Sequence, residues 1–309
     1  MKLFLKTGAS AAILFAFAVA APSLSQAADV ADPGCSLHGA VQLGYMFTDN
    51  DISATGTDEN TDWQTPFGEG AGLVTCNAWN FQGDFAYYAH ESEFDSGGTS
   101  LDLSGYNGHF GTAVFWRSPD AGSLGLSASI MNLDEIVVDN DYWRVGAFGE
   151  FYVGDQFTLG ASAHYFSGKD FADKDHDGFE LTANAKFYVM PELSLSVQGD
   201  FMTSEISLAG GGGDADFDGF AITGEAEYLV WDEGISLFGG ARYAERELSA
   251  SGTEIDFDDL QVYVGLEFAF GAAGGSLADS DRSGPIDNTS TMFEKLPSWI
   301  NEALAVSGP

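Results

Sequence analysis

Between residues 36 and 270 the chain alternates apolar and polar positions with a period of two. In the run from Phe179 to Val189, one face carries Phe179, Leu181, Ala183, Ala185, Phe187 and Val189, and the other Glu180, Thr182, Asn184, Lys186 and Tyr188. Leu193, Leu195, Val197, Gly199 and Phe201 oppose Ser194, Ser196, Gln198, Asp200 and Met202 in the same way. Trp143, Val145, Ala147, Phe151 and Val153 likewise oppose Arg144, Glu150 and Tyr152. Such alternation is that of strands with one dry and one wet face. Twelve runs qualify: 36–48, 67–76, 81–92, 104–117, 123–133, 141–153, 157–168, 178–189, 193–206, 219–231, 235–248 and 257–270. Their connections alternate too. Short ones, such as Asn77-Ala78-Trp79-Asn80, Gly154-Asp155-Gln156 and Pro191-Glu192, interleave with longer acidic stretches at 49–66, 93–102, 134–140, 169–177, 207–218 and 249–256.

The pattern predicts an all-β fold, and the composition of the dry faces decides which kind. They are thin, with Gly39, Gly83, Ala128, Ala147, Ala161, Ala183, Gly224 and Gly239 among them. A soluble sandwich or lipocalin-like barrel has to pack its dry face densely, whereas lipid accepts an uneven surface. Short turns at one end and long loops at the other match a transmembrane antiparallel up-and-down β-barrel of about twelve strands. Phe47, Trp116, Trp143, Tyr152, Tyr188 and Trp231 fall near strand ends, as interfacial girdles require.

The last run ends Tyr263-Val264-Gly265-Leu266-Glu267-Phe268-Ala269-Phe270. Tyr263, Gly265, Phe268 and Phe270 resemble the insertion signal of Gram-negative outer-membrane β-barrels. Together with the twelve runs, residues 36–270 resemble the porin-like superfamily of such barrels. The resemblance implies contact with outer-membrane lipid and the barrel assembly machinery, periplasmic N- and C-termini, and small solutes as cargo.

The flanks complete the layout. Residues 1–27 read as a secretory signal peptide, with Lys2 and Lys6 before an apolar run and Ser25-Gln26-Ala27 at the cleavage position. Residues 28–35 follow as a periplasmic segment. Beyond the barrel, 271–290 is rich in Gly, Ala, Ser and Asp and reads as a flexible linker. Residues 291–309 read as an amphipathic helix with Thr291 and Glu294 as a capping box, or one starting at Pro297. That tail is expected to rest on the barrel's periplasmic rim, with a plug or a contact to a periplasmic protein as the alternatives.

Charge narrows the function. There are 11 Lys and Arg against 47 Asp and Glu, a formal net charge of −36. Such a chain repels phosphate backbones, which excludes nucleic acid. The wet faces collect Asp84, Arg144, Glu150, Glu180, Lys186, Asp200, Glu225, Glu227, Arg242 and Glu267, with His38, His109 and His164. Lining a lumen, these residues would form an acid-rich path that favours cations. The expected function is therefore a porin-like channel for passive, cation-preferring diffusion. A closed-lumen structural or adhesive barrel and an outer-membrane hydrolase are the alternatives. His164 with Ser162, and His90 beside Glu91 and Glu93, are the nearest approach to a hydrolytic set, and the chain is read as no enzyme.

Two segments read Asp-x-Asp-x-Asp-Gly: Asp173, Asp175 and Asp177 before Gly178, and Asp214, Asp216 and Asp218 before Gly219. Carboxylates alternating in a tight loop are what calcium takes, so weak calcium binding in surface loops is the one cofactor expectation. An EF-hand is not expected, because Glu225 continues an alternating strand. Finally, Cys35 and Cys76 stand at the same end of adjacent antiparallel strands. Export carries them to an oxidising compartment, so they are expected to pair.

Overall fold

The computed structural model describes residues 35–54, 57–96, 99–134, 139–169, 175–207, 214–231, 234–250, 253–271 and 275–296. The signal segment, Asp173 and everything after Leu296 fall outside these residues.

Twelve strands close into one antiparallel barrel, each bonded to its sequence neighbours and the last to the first. They are β1 (Cys35–Ala54), β2 (Thr57–Cys76), β3 (Trp79–Ser96), β4 (Thr99–Ser118), β5 (Gly122–Asp134) and β6 (Asp139–Val153). The remainder are β7 (Phe157–Lys169), β8 (Asp175–Met190), β9 (Leu193–Ser207), β10 (Asp214–Trp231), β11 (Ile235–Ala250) and β12 (Thr253–Phe270). Closure pairs Gly39 of β1 with Phe270 of β12, so the insertion-signal strand seals the seam. Cys35 and Cys76 lie directly opposite in the β1–β2 register and form a disulfide, with Cα atoms 4.2 Å apart. The end holding this bridge is called the base here, and the opposite end the crown. At the base the turns are tight: Asn77 alone among the described non-glycine residues has positive φ, at 59°, a conformation Asn tolerates.

The strands are longer at the crown than the alternation predicts. Residues 49–66, read as a loop, are strand except for 55–56, which lie outside the described residues. The reason is a change of sign. Near the base, apolar side chains point out: Leu124, Leu126, Ile130 and Phe151 are each more than 60% exposed. Toward the crown the same period of two persists with the faces exchanged. On β10, Asp214, Asp216 and Asp218 are exposed while Ala215 and Phe217 are buried. On β8, Asp175 and Asp177 point out and His176 in. About ten residues suffice for a strand to cross a bilayer, and β1 and β2 have 20 each. The apolar-out stretch matches lipid, and the acid-out stretch matches water.

Two girdle expectations are corrected. Phe47, Trp116, Trp143 and Trp231 are exposed on the outer wall, but Tyr152 and Tyr188 are buried and point into the lumen. Their parity decides it, since Phe151 and Val153 on one strand, and Val189 on the other, take the outer face.

Of the segment read as a flexible linker, residues 275–290 are packed on the barrel. They include a helix, α1 (Leu277–Ser283), capped by the Ser276 hydroxyl accepting from Asp279 N–H at 3.1 Å. Thr291–Lys295 is a single π-helical turn rather than the start of a long amphipathic helix. Ser290, not Thr291, caps it: its hydroxyl accepts from Phe293 N–H, and Glu294 reaches back to Ser290 N–H.

Candidate channel lumen and its C-terminal plug

Every ionisable residue expected in the lumen points inward: Asp84, Arg144, Glu180, Asp200, Glu227 and Arg242 are buried, and Glu150, Lys186, Glu225 and Glu267 are half-buried. The lumen they line is occupied. Helix α1 docks at the base, where Leu277 N–H donates to Pro191 C=O at 2.8 Å and its side chain packs against Tyr188 and Leu229. Arg282 lies over the rings of Tyr152 and Tyr188, at 4.8 and 5.5 Å from their centroids. It is α1, in the segment read as a linker, that rests on the rim, whereas the described part of the tail, 291–296, lies inside the barrel.

The wall reads the main chain of this segment with side chains. Arg117 donates to Gly284 C=O at 2.7 Å. The Gln82 carboxamide both donates to Ile286 C=O and accepts from Ile286 N–H, at 2.8 and 2.9 Å. Arg144 donates to Asn288 C=O and pairs with Glu180 at 2.8 Å, and Glu180 accepts from the Ser290 hydroxyl. Higher up, Asn107 reaches the carbonyls of Phe293, Glu294 and Leu296, and Gln261 that of Lys295. Unpaired buried backbone groups are costly, so a segment without sheet neighbours needs such partners. His109 sits between Asp84, at 2.8 Å, and Glu294, at 2.7 Å.

Above this polar grip, Met292, Phe293 and Leu296 enter an apolar cluster with Ile52, Met131, Phe166, Met202, Phe217 and Phe257. Below and beside it remains a cavity of about 290 Å³, lined by Glu69, Asp84, Glu150, Glu225, Glu267, Asp281 and Asp287 against Lys186 and Lys295. Burial works against the charge of Asp287, but Lys295, 3.0 Å away, and the Thr289 hydroxyl and N–H outweigh it and hold this carboxyl below the usual range. Lys295 is desolvated as well, and Asp287 and Glu69 more than offset that, raising its pKa.

The other candidate chemistry is dispersed. Asp175, Asp177, Asp214, Asp216 and Asp218 stand on strands, where alternate side chains are roughly 7 Å apart, so they do not wrap one ion as a loop does. Asp175 instead pairs with Lys169. Sequence reasoning missed a different grouping: Glu247, Glu254 and Asp256 of β11 and β12 bring carboxylate oxygens within 4.8 Å of one another on the outer surface. Their register across two strands gives no local signal. The histidines are separately engaged, His164 with Ser127 at 2.9 Å and His90 with Thr65 and Asn107.

Twelve antiparallel strands, apolar outside at the base half and polar within, settle the architecture. The fold is that of the outer-membrane β-barrels. A COG4313 outer-membrane channel from Pseudomonas putida F1 aligns with a TM-score of 0.54 at 12% identity, over 78% of this chain and 97% of its own. The Pseudomonas putida toluene transporter TodX aligns at 0.40 and 11% identity, over 79% and 90%. OmpT of Vibrio cholerae aligns at 0.40 and 10% identity, over 78% and 99%. No protein-family model and no curated protein sequence matches the chain. Within this barrel fold, residues 284–296 of the chain fill the lumen that the strands enclose.

Proposed function

We propose that the protein is an outer-membrane channel whose own C-terminal segment is its plug, and that the path opened when the plug leaves prefers cations. The base faces the periplasm and the crown the exterior in this reading, so the tail enters from the periplasmic side. Supporting it most directly is the way the tail is held: by side chains of the wall and by no strand pairing. A segment so held can leave without disturbing the closed hydrogen-bond ladder that keeps a barrel intact in lipid. The cation preference rests on the seven carboxylates against two lysines around the cavity. No hydrolytic role is proposed.

Planar-bilayer recording tests this. Gln198 Nε2 lies 3.3 Å from the Thr291 hydroxyl, so Gln198→Cys with Thr291→Cys can be bridged by dibromobimane. Conductance is expected before bridging and not after it, with a reversal potential of cationic sign in a salt gradient. A barrel silent in both states is the closed-lumen structural protein instead.

A further inference from the structure

We infer that the crown half of the lumen is a binding site for small neutral aromatic molecules, which occupy it in exchange with Met292 and Phe293 of the tail. The starting point is the reversal of polarity along the wall. At the crown, Asp177, Glu205 and Asp216 face outward in one row across β8, β9 and β10. Inside, the wall presents Met131, Phe166, Met202, Phe217 and Phe257, all nearly inaccessible. A wall that is wet outside and apolar within is that of a calyx, not of a water-filled pore.

Width makes the calyx a site. Eight strands already leave room for one small ligand, and twelve enclose more than wall side chains can fill. What fills this one is the tail, and the tail shows what the site accepts. The Phe293 ring lies 4.7 Å from that of Phe166 at 73°, 5.2 Å from Tyr142 and 6.3 Å from His176. Edge-to-face neighbours at these spacings favour an aromatic ring beyond simple apolar burial.

The chamber offers no uncompensated charge. Both His176 nitrogens are engaged, with the Tyr142 hydroxyl and the Ser204 hydroxyl at 2.9 Å each. Arg246 is neutralised by Asp259 at 2.6 Å. A charged ligand would be desolvated there without a partner, whereas a neutral ring loses nothing. Vacated by Met292 and Phe293, the chamber becomes an apolar cavity, and such cavities stay dry and take up benzene-like molecules.

The inference rests on the displaceable tail of the channel reading, and photolabelling separates the two because it reads occupancy rather than passage. Benzophenone, a neutral two-ring ketone that inserts preferentially at methionine, is irradiated with the full-length protein in vesicles. Labelled positions are then assigned by mass spectrometry. Met131 and Met202 face the chamber, while Met190 is exposed on the outside at the base and serves as the control. Expected is labelling of Met131 and Met202 that is lost when the Gln198→Cys, Thr291→Cys protein is bridged, with Met190 unchanged. A variant carrying Met292→Ala and Phe293→Ala, its folding checked by heat-dependent gel migration, is expected to label at the chamber methionines more strongly. Silence of Met131 and Met202 in both proteins, with Met190 labelled, overturns the binding site. Labelling confined to the alanine variant overturns the exchange and leaves conduction to be judged by the bilayer recording alone.

Discussion

Glu294 of the tail and His109 of β4 meet at 2.7 Å inside the barrel, and the other nitrogen of the same ring meets Asp84 at 2.8 Å. A ring donating from both nitrogens has the hydrogen-bonding pattern of the imidazolium, and its charge joins a wall carboxylate to a tail carboxylate. Among the described residues, Lys186 and Asp281 also pair wall with tail, at 2.6 Å, but only half-buried.

Removing that ring should release the tail. His109→Ala leaves Glu294 and Asp84 buried face to face, and breaking such a pair costs about 3–5 kcal/mol. The expected outcome is a higher open probability in bilayers and faster proteolysis at Lys295. His109→Gln, which restores one donor, should recover part of the wild-type behaviour.

At the base the clamp is aromatic. Arg282→Ala removes a guanidinium lying over Tyr152 and Tyr188, a contact worth about 0.5–2 kcal/mol. Hydrogen exchange should rise in α1 and stay unchanged in the strands. An equal rise in β6 and β8 would mean that the arginine stabilises the barrel rather than the docking of the tail.

Docking should also depend on pH at both extremes. Asp287 titrates below its unfolded value, so its contribution is present above the ordinary carboxylate range and is lost as pH falls through the depressed value. Lys295 titrates above its unfolded value, so its contribution is complete below the ordinary lysine range and is lost as pH rises through the elevated one. Tail accessibility is therefore expected to be lowest and flat across neutral pH. Lys295→Met should make the acid limb begin at higher pH.

Selectivity should follow the cavity carboxylates. Glu225→Gln with Glu267→Gln removes two acids from a lining that contains Lys186 and Lys295. The reversal potential should move toward zero with little change in folding, since both are half-buried. An unchanged potential would place the selecting residues elsewhere along the path.

The disulfide should act on the unfolded chain. Cys35 and Cys76 are 41 residues apart in sequence, for which the loop-closure estimate is roughly 4 kcal/mol. Cys76→Ser is expected to lower the temperature at which the folded gel band disappears, without altering conductance. Two free thiols in denatured, unreduced protein would contradict the pairing.

What the sequence determined by itself is what neighbours along the chain decide. The alternation of Phe179 through Val189 is a local pattern, and it marks a strand and its two faces wherever that strand lies. The tight turns and antiparallel order follow, and with them the juxtaposition of Cys35 and Cys76 at the base and the inward set from Asp84 to Glu267. Two things only the tertiary structure decided. Alternation does not say which medium bathes each face, so Asp216 and Phe217 read as loop until the barrel's height placed one in water and the other in a closed interior. The path of the tail was hidden for a different reason. Ile286 meets Gln82 across 204 positions, and Glu294 meets His109 across 185. The short polar segment 284–291 has no periodicity of its own, because its partners are the wall's side chains, and those converge on one line only once twelve strands have closed around it.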